Sequence, residues 1–168
     1  MAAAIMDELI ARGCRKFIAC CGCGELDGEV GLGHVIVPTT AVRDEGTSYH
    51  YLPPAREVAV FPEAVKAISA ALDNQKVDYV LGKTWTTDAF YRETAAKVAL
   101  RRDEGCLCVE METAALCAVA QFRGVTFGQL LYGGDDLSGA EWDHRDWQNQ
   151  TSTREKLFAL SAAACFLL

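Results

Sequence analysis

An α/β sheet with helices packed on it is the architecture this sequence predicts, and two observations carry that expectation. Short apolar runs alternate with helical periodicities along the whole chain. Acidic, aromatic and glycine residues gather just after those runs, at 21–25, 82–90, 110–112 and 135–136. Ligands of open α/β sheets bind outside the carboxyl ends of the strands, so four segments converging on one edge outweigh any single motif.

The elements follow in order. Ile5, Met6, Leu9 and Ile10 recur at helical spacing, so residues 2–12 form an amphipathic helix that Gly13 stops. Residues 17–21 are a short buried strand, and Gly22, Gly24, Gly28, Gly31 and Gly33 mark a turn-rich segment. Residues 34–37 are a second strand ended by Pro38, followed by an ordered polar and aromatic loop over 43–54. Pro62 opens a helix carried by Val65, Ile68, Ala71 and Leu72. Residues 77–81 are a strand and 82–90 the loop after it. A helix is expected over 93–102, a strand end at 107–109 and an alanine-rich helix at 113–122. A strand over 125–132 ends at Gly133-Gly134, and residues 152–168 form the last helix.

With 168 residues, 51% of them hydrophobic and 23% charged, the chain suits one core-bearing domain spanning 1–168. A formal net charge of −7 without a basic stripe argues against nucleic-acid and anionic-membrane partners. No secretory signal is visible, and the apolar C-terminal run is too short to span a membrane. Eight cysteines, several within apolar runs, read as reduced thiols of a cytoplasmic protein. Cys20, Cys21 and Cys23 with Cys106 and Cys108 have poor spacing for zinc, and core thiols are the favoured reading. The sequence lacks a nucleophile triad, a Walker A lysine and a dinucleotide fingerprint.

The segment Val109-Glu110-Met111-Glu112-Thr113-Ala114-Ala115 sets two carboxylates around a methionine, directly before a helix. On an extended segment both share a face and could chelate a vicinal diol; equally, either could cap the helix. Asp135 and Asp136 follow a buried strand and two glycines. One could serve as a general acid, or both could belong to an ordinary turn. Trp85, Phe90 and Tyr91 could stack on a planar base or pack in the core. Arg43, Lys83, Arg92 and Arg145 are candidate anion contacts or solvated charges.

On these residues the chain resembles the nucleoside phosphorylase family of bacterial purine nucleoside and uridine phosphorylases and related hydrolytic nucleosidases. The matching elements are the Glu110-Met111-Glu112 segment, Thr87-Asp88-Ala89-Phe90-Tyr91, Gly134-Asp135-Asp136-Leu137 and the segment Arg43 to Tyr51. The resemblance implies a mixed, mostly parallel sheet flanked by helices and homo-oligomers whose sites borrow residues from a neighbour. It implies that Glu112, with Glu110 beside it, binds ribose hydroxyls and that Met111 packs on the sugar. Phe90 would stack on the base and Asp135 would protonate a departing purine. Trp85 and Arg43, from their own chemistry, are further candidate substrate contacts.

The implied reaction is cleavage of an N-glycosidic bond by inorganic phosphate as co-substrate, with no metal or organic cofactor. Hydrolysis, or a non-catalytic nucleoside-binding remnant, are the alternatives. Two departures stand out. Family members usually carry a preceding segment with a phosphate-binding Gly-rich loop and an Arg, so this sequence is expected to be a truncated or degenerate member or a fragment. Where the family has Gly-Thr/Ser-x-Gly, this sequence has Cys21-Gly22-Cys23-Gly24, without the hydroxyl. The nucleoside half of the site is therefore expected to be present and the phosphate half absent or damaged. Asp135 and the Tyr91-Arg92-Glu93 continuation, which lacks a Gln/Arg pair, lean toward purines.

Overall fold

The computed structural model describes residues 1–28 and 33–168, so Gly31 of the turn-rich segment lies outside the described residues. Among the described residues, six strands form one sheet in the order β3-β2-β4-β5-β1-β6, and a further β2–β6 pairing curls it closed like a barrel. The strands are β1 (Lys16–Glu25), β2 (Val35–Asp44), β3 (Glu57–Ala59), β4 (Tyr79–Thr87), β5 (Cys106–Glu110) and β6 (Thr126–Asp136). The long ladders, β1–β6, β2–β4 and β4–β5, are parallel. The antiparallel pairings β1–β5, β2–β3 and β2–β6 are short. The sheet is thus mixed and mostly parallel, as expected.

The α-helices of the described residues pack on it: α1 (Ala2–Ala11), α2 (Pro62–Asn74), α3 (Ala95–Asp103), α4 (Thr113–Arg123) and α5 (Thr151–Leu167). α4 is buried from Thr113 to Ala120. Its small side chains let it lie in one cluster with Met6 and Ile10 of α1 and Phe127 of β6. On another part of the sheet, Ile68 and Leu72 of α2 meet Leu157 and Ala164 of α5 over Leu130. Cys23, Ile36, Cys108 and Leu131, one from each of four strands, form a separate small cluster. Free Cys behaves as a small hydrophobe, and these two fill that role.

Four strands run further than the sequence pattern suggested. β1 passes through Gly22 and Gly24 to Glu25 instead of giving way to a turn after residue 21. β2 passes through Pro38 instead of ending there, because the β2–β4 register slips between Pro38 and Thr40. A bulge is where a strand tolerates a residue that cannot donate to the ladder. β4 continues through the expected loop 82–90 as far as Thr87, carried by β-prone Thr84, Trp85, Thr86 and Thr87. β6 runs through Gly133-Gly134 to Asp136. Gly133 is no turn there: a Cβ on it would sit 1.7 Å from Oε1 of Glu25, so the position makes room for that side chain. These extensions carry the strand ends to the functional edge.

Candidate active site

At that edge lies a cleft of about 640 Å³, within the size range of small-molecule sites. Its walls come from the end of β1, the turn after β4, the β5–α4 junction, the end of β6 and the segment after β6. Four of the predicted site segments therefore meet, and they bring Phe90, Glu110, Met111, Glu112 and Asp135 to one cavity.

The two glutamates divide the roles between which the sequence could not choose. Glu110 is 5% exposed. Its Oε2 accepts the backbone N–H groups of Glu112 and Thr113, both at 2.7 Å, and its Oε1 accepts the Thr86 hydroxyl at 2.5 Å. It satisfies the otherwise unpaired first turn of α4 and is chiefly a helix cap, although it borders the cleft. Burial pushes its carboxyl up, opposed by the hydrogen bonds from Thr86, Thr113 and Glu112.

Glu112 sits at the N-cap of α4 with φ −130° and ψ −33° and caps no helix N–H with its side chain. The chain has left the extended geometry by then, so the two acids no longer share a face. Glu112 keeps its carboxylate at the cleft, where the Cys21 thiol is 3.9 Å from Oε2. Burial raises its carboxyl, while the Met111 backbone and Cys21 lower it. Cys21 itself is pushed up to about 11, first by burial and then by the charges of Glu112 and Glu110, so its thiol stays protonated. Met111 is 40% exposed beside Glu112 and offers an apolar surface.

Phe90 is 49% exposed on the cleft wall, its ring 4.1 Å from that of Tyr91. Across the cleft, Trp142, His144 and Trp147 line the segment after β6. Asp135 accepts the Trp142 indole N–H at 2.6 Å. Asp136 is committed elsewhere: its Oδ1 accepts the Ser138 backbone N–H at 2.7 Å and its Oδ2 pairs with Arg145. Burial would raise the Asp136 carboxyl, but the bonds to Ser138 and the Arg145 guanidinium hold it below the ordinary range. Of the two acids, Asp135 is the one that reaches the cleft.

Arg145 also pairs with Glu25, which is fully buried. Burial pushes Glu25 up to about 7 even against Arg145, with the charges of Asp136 and Asp135 adding to the rise. Arg145 thereby ties the segment that carries Trp142, His144 and Trp147 to the ends of β1 and β6. It is an internal partner in this chain, not a spare anion contact.

Two expected contacts lie elsewhere. Trp85 does not line the cleft: it is 0% exposed, packed with Leu26, Val42 and Val98, and its indole N–H bonds Asp44 at 3.0 Å. Because β4 continues through position 85, strand alternation turns this ring into the core. Arg43 is 2% exposed, bonding the Ser48 hydroxyl and the Pro53 carbonyl, both at 2.8 Å, with its guanidinium 4.3 Å from the Tyr49 ring centre. It braces the turn after β2 and is outside the cleft lining. Lys83 pairs with Glu57 at 2.6 Å, while Arg92 is exposed.

Among the described residues, the cleft lining carries four carboxylates, Glu93, Glu110, Glu112 and Asp135, and no lysine or arginine. At Gly22, where a hydroxyl was expected by resemblance, a Cβ would meet the Tyr132 ring at 3.0 Å. Tyr132 in turn accepts from Arg154 at 2.9 Å. The position is filled from the neighbouring strand. The sequence reading missed Glu93, Trp142, His144, Trp147 and Gln148 as wall residues. The aromatic content of 142–147 was the available signal, but only the fold turns it toward Asp135.

Comparison with known proteins shows the family of the fold. The model of the phosphorylase superfamily matches residues 1–166. The chain belongs to the phosphorylase superfamily. A guanosine phosphorylase of Halorubrum lacusprofundi is 33% identical over 132 residues, covering 77% of this chain and 54% of that protein. A DeoD-type purine nucleoside phosphorylase of Bacillus cereus is 31% identical over 162 residues, covering 94% and 68%. The solved structure of an AMP nucleosidase from Bacteroides thetaiotaomicron superposes with a TM-score of 0.76 at 30% identity, covering 97% of this chain and 64% of that one. The chain thus spans roughly half to two thirds of the length of these superfamily relatives. Among its described residues, no helix is long and apolar enough to cross a membrane.

Proposed function

We propose that this chain supplies the sugar-and-base half of a purine nucleoside phosphorylase site, for cleavage of an N-glycosidic bond by phosphate. One observation carries the reading: Glu112, Met111, Phe90 and Asp135 converge on a single cleft of nucleoside size. Glu112 accepts hydrogen bonds from the ribose hydroxyls, with Met111 against the sugar ring. Phe90 stacks on the base. As the bond from the sugar carbon to the base nitrogen lengthens, its electron pair moves onto the base and the sugar becomes oxocarbenium-like. Asp135 gives a proton to the base, and a phosphate oxygen bonds to the sugar carbon. The acidic lining favours the cationic sugar and disfavours the phosphate anion. The anion clamp therefore comes from outside this cleft, which agrees with assembly into a homo-oligomer that shares its sites. The names of the guanosine phosphorylase and the purine nucleoside phosphorylase among the relatives support purines. Soluble action in the cytoplasm fits the reduced thiols.

The test is a panel of inosine, guanosine, adenosine and uridine with purified chain, with and without phosphate, following release of free base. Slow purine release that rises with phosphate is expected. Equal release in both arms would make the activity hydrolytic, as the named activity of the AMP nucleosidase relative suggests. Release of uracil alone would sink the purine assignment.

Glu112→Gln separates binding from folding. The amide keeps the shape and removes the charged acceptor, and its side chain supports no helix N–H. Bonds to charged groups are worth about 1.5–3 kcal/mol, so nucleoside affinity is expected to fall about 10- to 100-fold with the unfolding midpoint unchanged. Calorimetric titration with inosine checks it, and an unaltered Kd would remove Glu112 from the ribose site.

A further inference from the structure

β1 has two unlike edges. On one side it pairs with β6 from Lys16 to Glu25, whereas on the other β5 reaches only Gly24 and Glu25. Among the described residues, 16–22 have no strand partner on that second side. Strand geometry fixes which groups are left over. The Arg15 carbonyl points to β6 and accepts the Thr126 N–H at 3.0 Å, while the Leu26 N–H points to β5 and donates to the Leu107 carbonyl at 2.9 Å. Odd and even positions therefore face opposite sides, and Lys16, Ile18, Cys20 and Gly22 turn their ladder groups outward.

The side chains agree. Phe17, Ile18, Ala19 and Cys20 are apolar on both faces, the composition of a strand covered on both, yet each is only half-buried. Neighbouring β6 is buried from Phe127 to Gly134. Ile5 and Leu9 of α1, both exposed, border with Phe17 and Ala19 an apolar groove of about 230 Å³. An open strand edge beside apolar surface is a template for another strand.

Charge along the edge selects the occupant. Arg12, Arg15 and Lys16 are exposed where β1 begins, and Glu112 lies at the cleft where the open edge ends, beside Cys21 and Gly22. A second copy laid antiparallel meets this gradient with its own reverse, so each basic end lies against an acidic end. A parallel copy would set like charges together. The register that places Ile18 opposite Cys20 uses all four outward positions, because Lys16 then faces Gly22 and Ala19 lies on the two-fold axis.

We propose that the open edge of β1 pairs antiparallel with the same edge of a second copy about Ala19, joining two sheets and bringing Lys16 of each copy to the cleft mouth of the other. The pairing rests on the strand edge and its charges, independently of the chemistry in the cleft.

Sedimentation of the purified chain from about 1 to 100 μM is expected to show a monomer–dimer equilibrium. Over that range the Ile18 and Cys20 amides are expected to gain about tenfold protection from hydrogen exchange. Lys16→Glu, at an exposed position, turns attraction at both ends of the pair into repulsion and is expected to weaken the dimer about tenfold. Ala19→Cys, treated with oxidised glutathione, is expected to link two copies through position 19, identified by peptide mass, because directly opposed residues of such a pair lie about 4.5 Å apart. A monomer at every concentration would overturn the proposal. So would a dimer whose Ile18 and Cys20 amides exchange as fast as in the monomer, a Lys16→Glu dimer as tight as the unsubstituted one, or an Ala19→Cys dimer with no link at position 19.

Discussion

Asp135→Asn is expected to slow purine release by about 100-fold, the lower end of what a positioned general acid contributes. The amide cannot give up a proton to the leaving base. Its oxygen can still accept the Trp142 indole N–H, which lies at 2.6 Å from Asp135 in the unsubstituted chain, so the wall of the cleft is kept. The rate is measured with protein in excess over labelled inosine, which registers slow single turnovers. Asp136→Asn is the comparison. Asp136 already holds the Ser138 N–H and the Arg145 guanidinium, and Arg145 retains Glu25 when Asp136 is changed. Its loss is therefore expected to stay within about tenfold, below the range for removing a general acid. Equal rates for Asp135→Asn and the unsubstituted chain would remove the proton-transfer role. The reverse order of the two variants would move it to Asp136.

The second large effect is on folding. Glu110→Ala is expected to cost about 3–5 kcal/mol, because it strands two backbone N–H groups at the start of a buried helix and the hydroxyl of Thr86. Thr86 also takes the Ala114 N–H at 3.0 Å, so one carboxylate and one hydroxyl together hold three consecutive amides at the start of α4. Denaturant unfolding checks the prediction as a lower midpoint with an unchanged slope. A loss below about 1 kcal/mol, the net worth of one ordinary hydrogen bond, would mean that water or a neighbouring group replaces the cap. Glu112→Gln should leave the midpoint in place. The contrast between these neighbours separates a supporting carboxylate from a ligand-facing one.

Much of this arrangement was legible in the chain. The apolar spacing of Val65, Ile68, Ala71 and Leu72 placed α2, and the small apolar run after Thr113 placed α4, because each pattern has the period of the element it forms. The convergence of acids and aromatics after strands located the cleft at the sheet edge. The ends of the strands were less legible. Glycine and proline read as breakers in a linear pattern, yet Pro38 sits at a register slip and Gly133 gives way to the Glu25 side chain. Those roles depend on neighbours distant in sequence.

The sequence by itself determined the class of fold, the alternation of its elements and the segments from which a site is built, because local periodicity and turn chemistry act within a few residues. Which side chain of each segment faces the cleft was decided only by the tertiary structure. Trp85 and Arg43 turned into packing because β4 and β2 continue where loops were expected. Glu110 and Glu112 parted because the backbone leaves the extended geometry between them. Lys97 pairs with Asp44, which arrives from the end of β2, although Glu93 lies one helical turn before it in sequence. Each outcome depends on rotation about a backbone element and on competition for a shared partner, and both are settled when distant segments pack together.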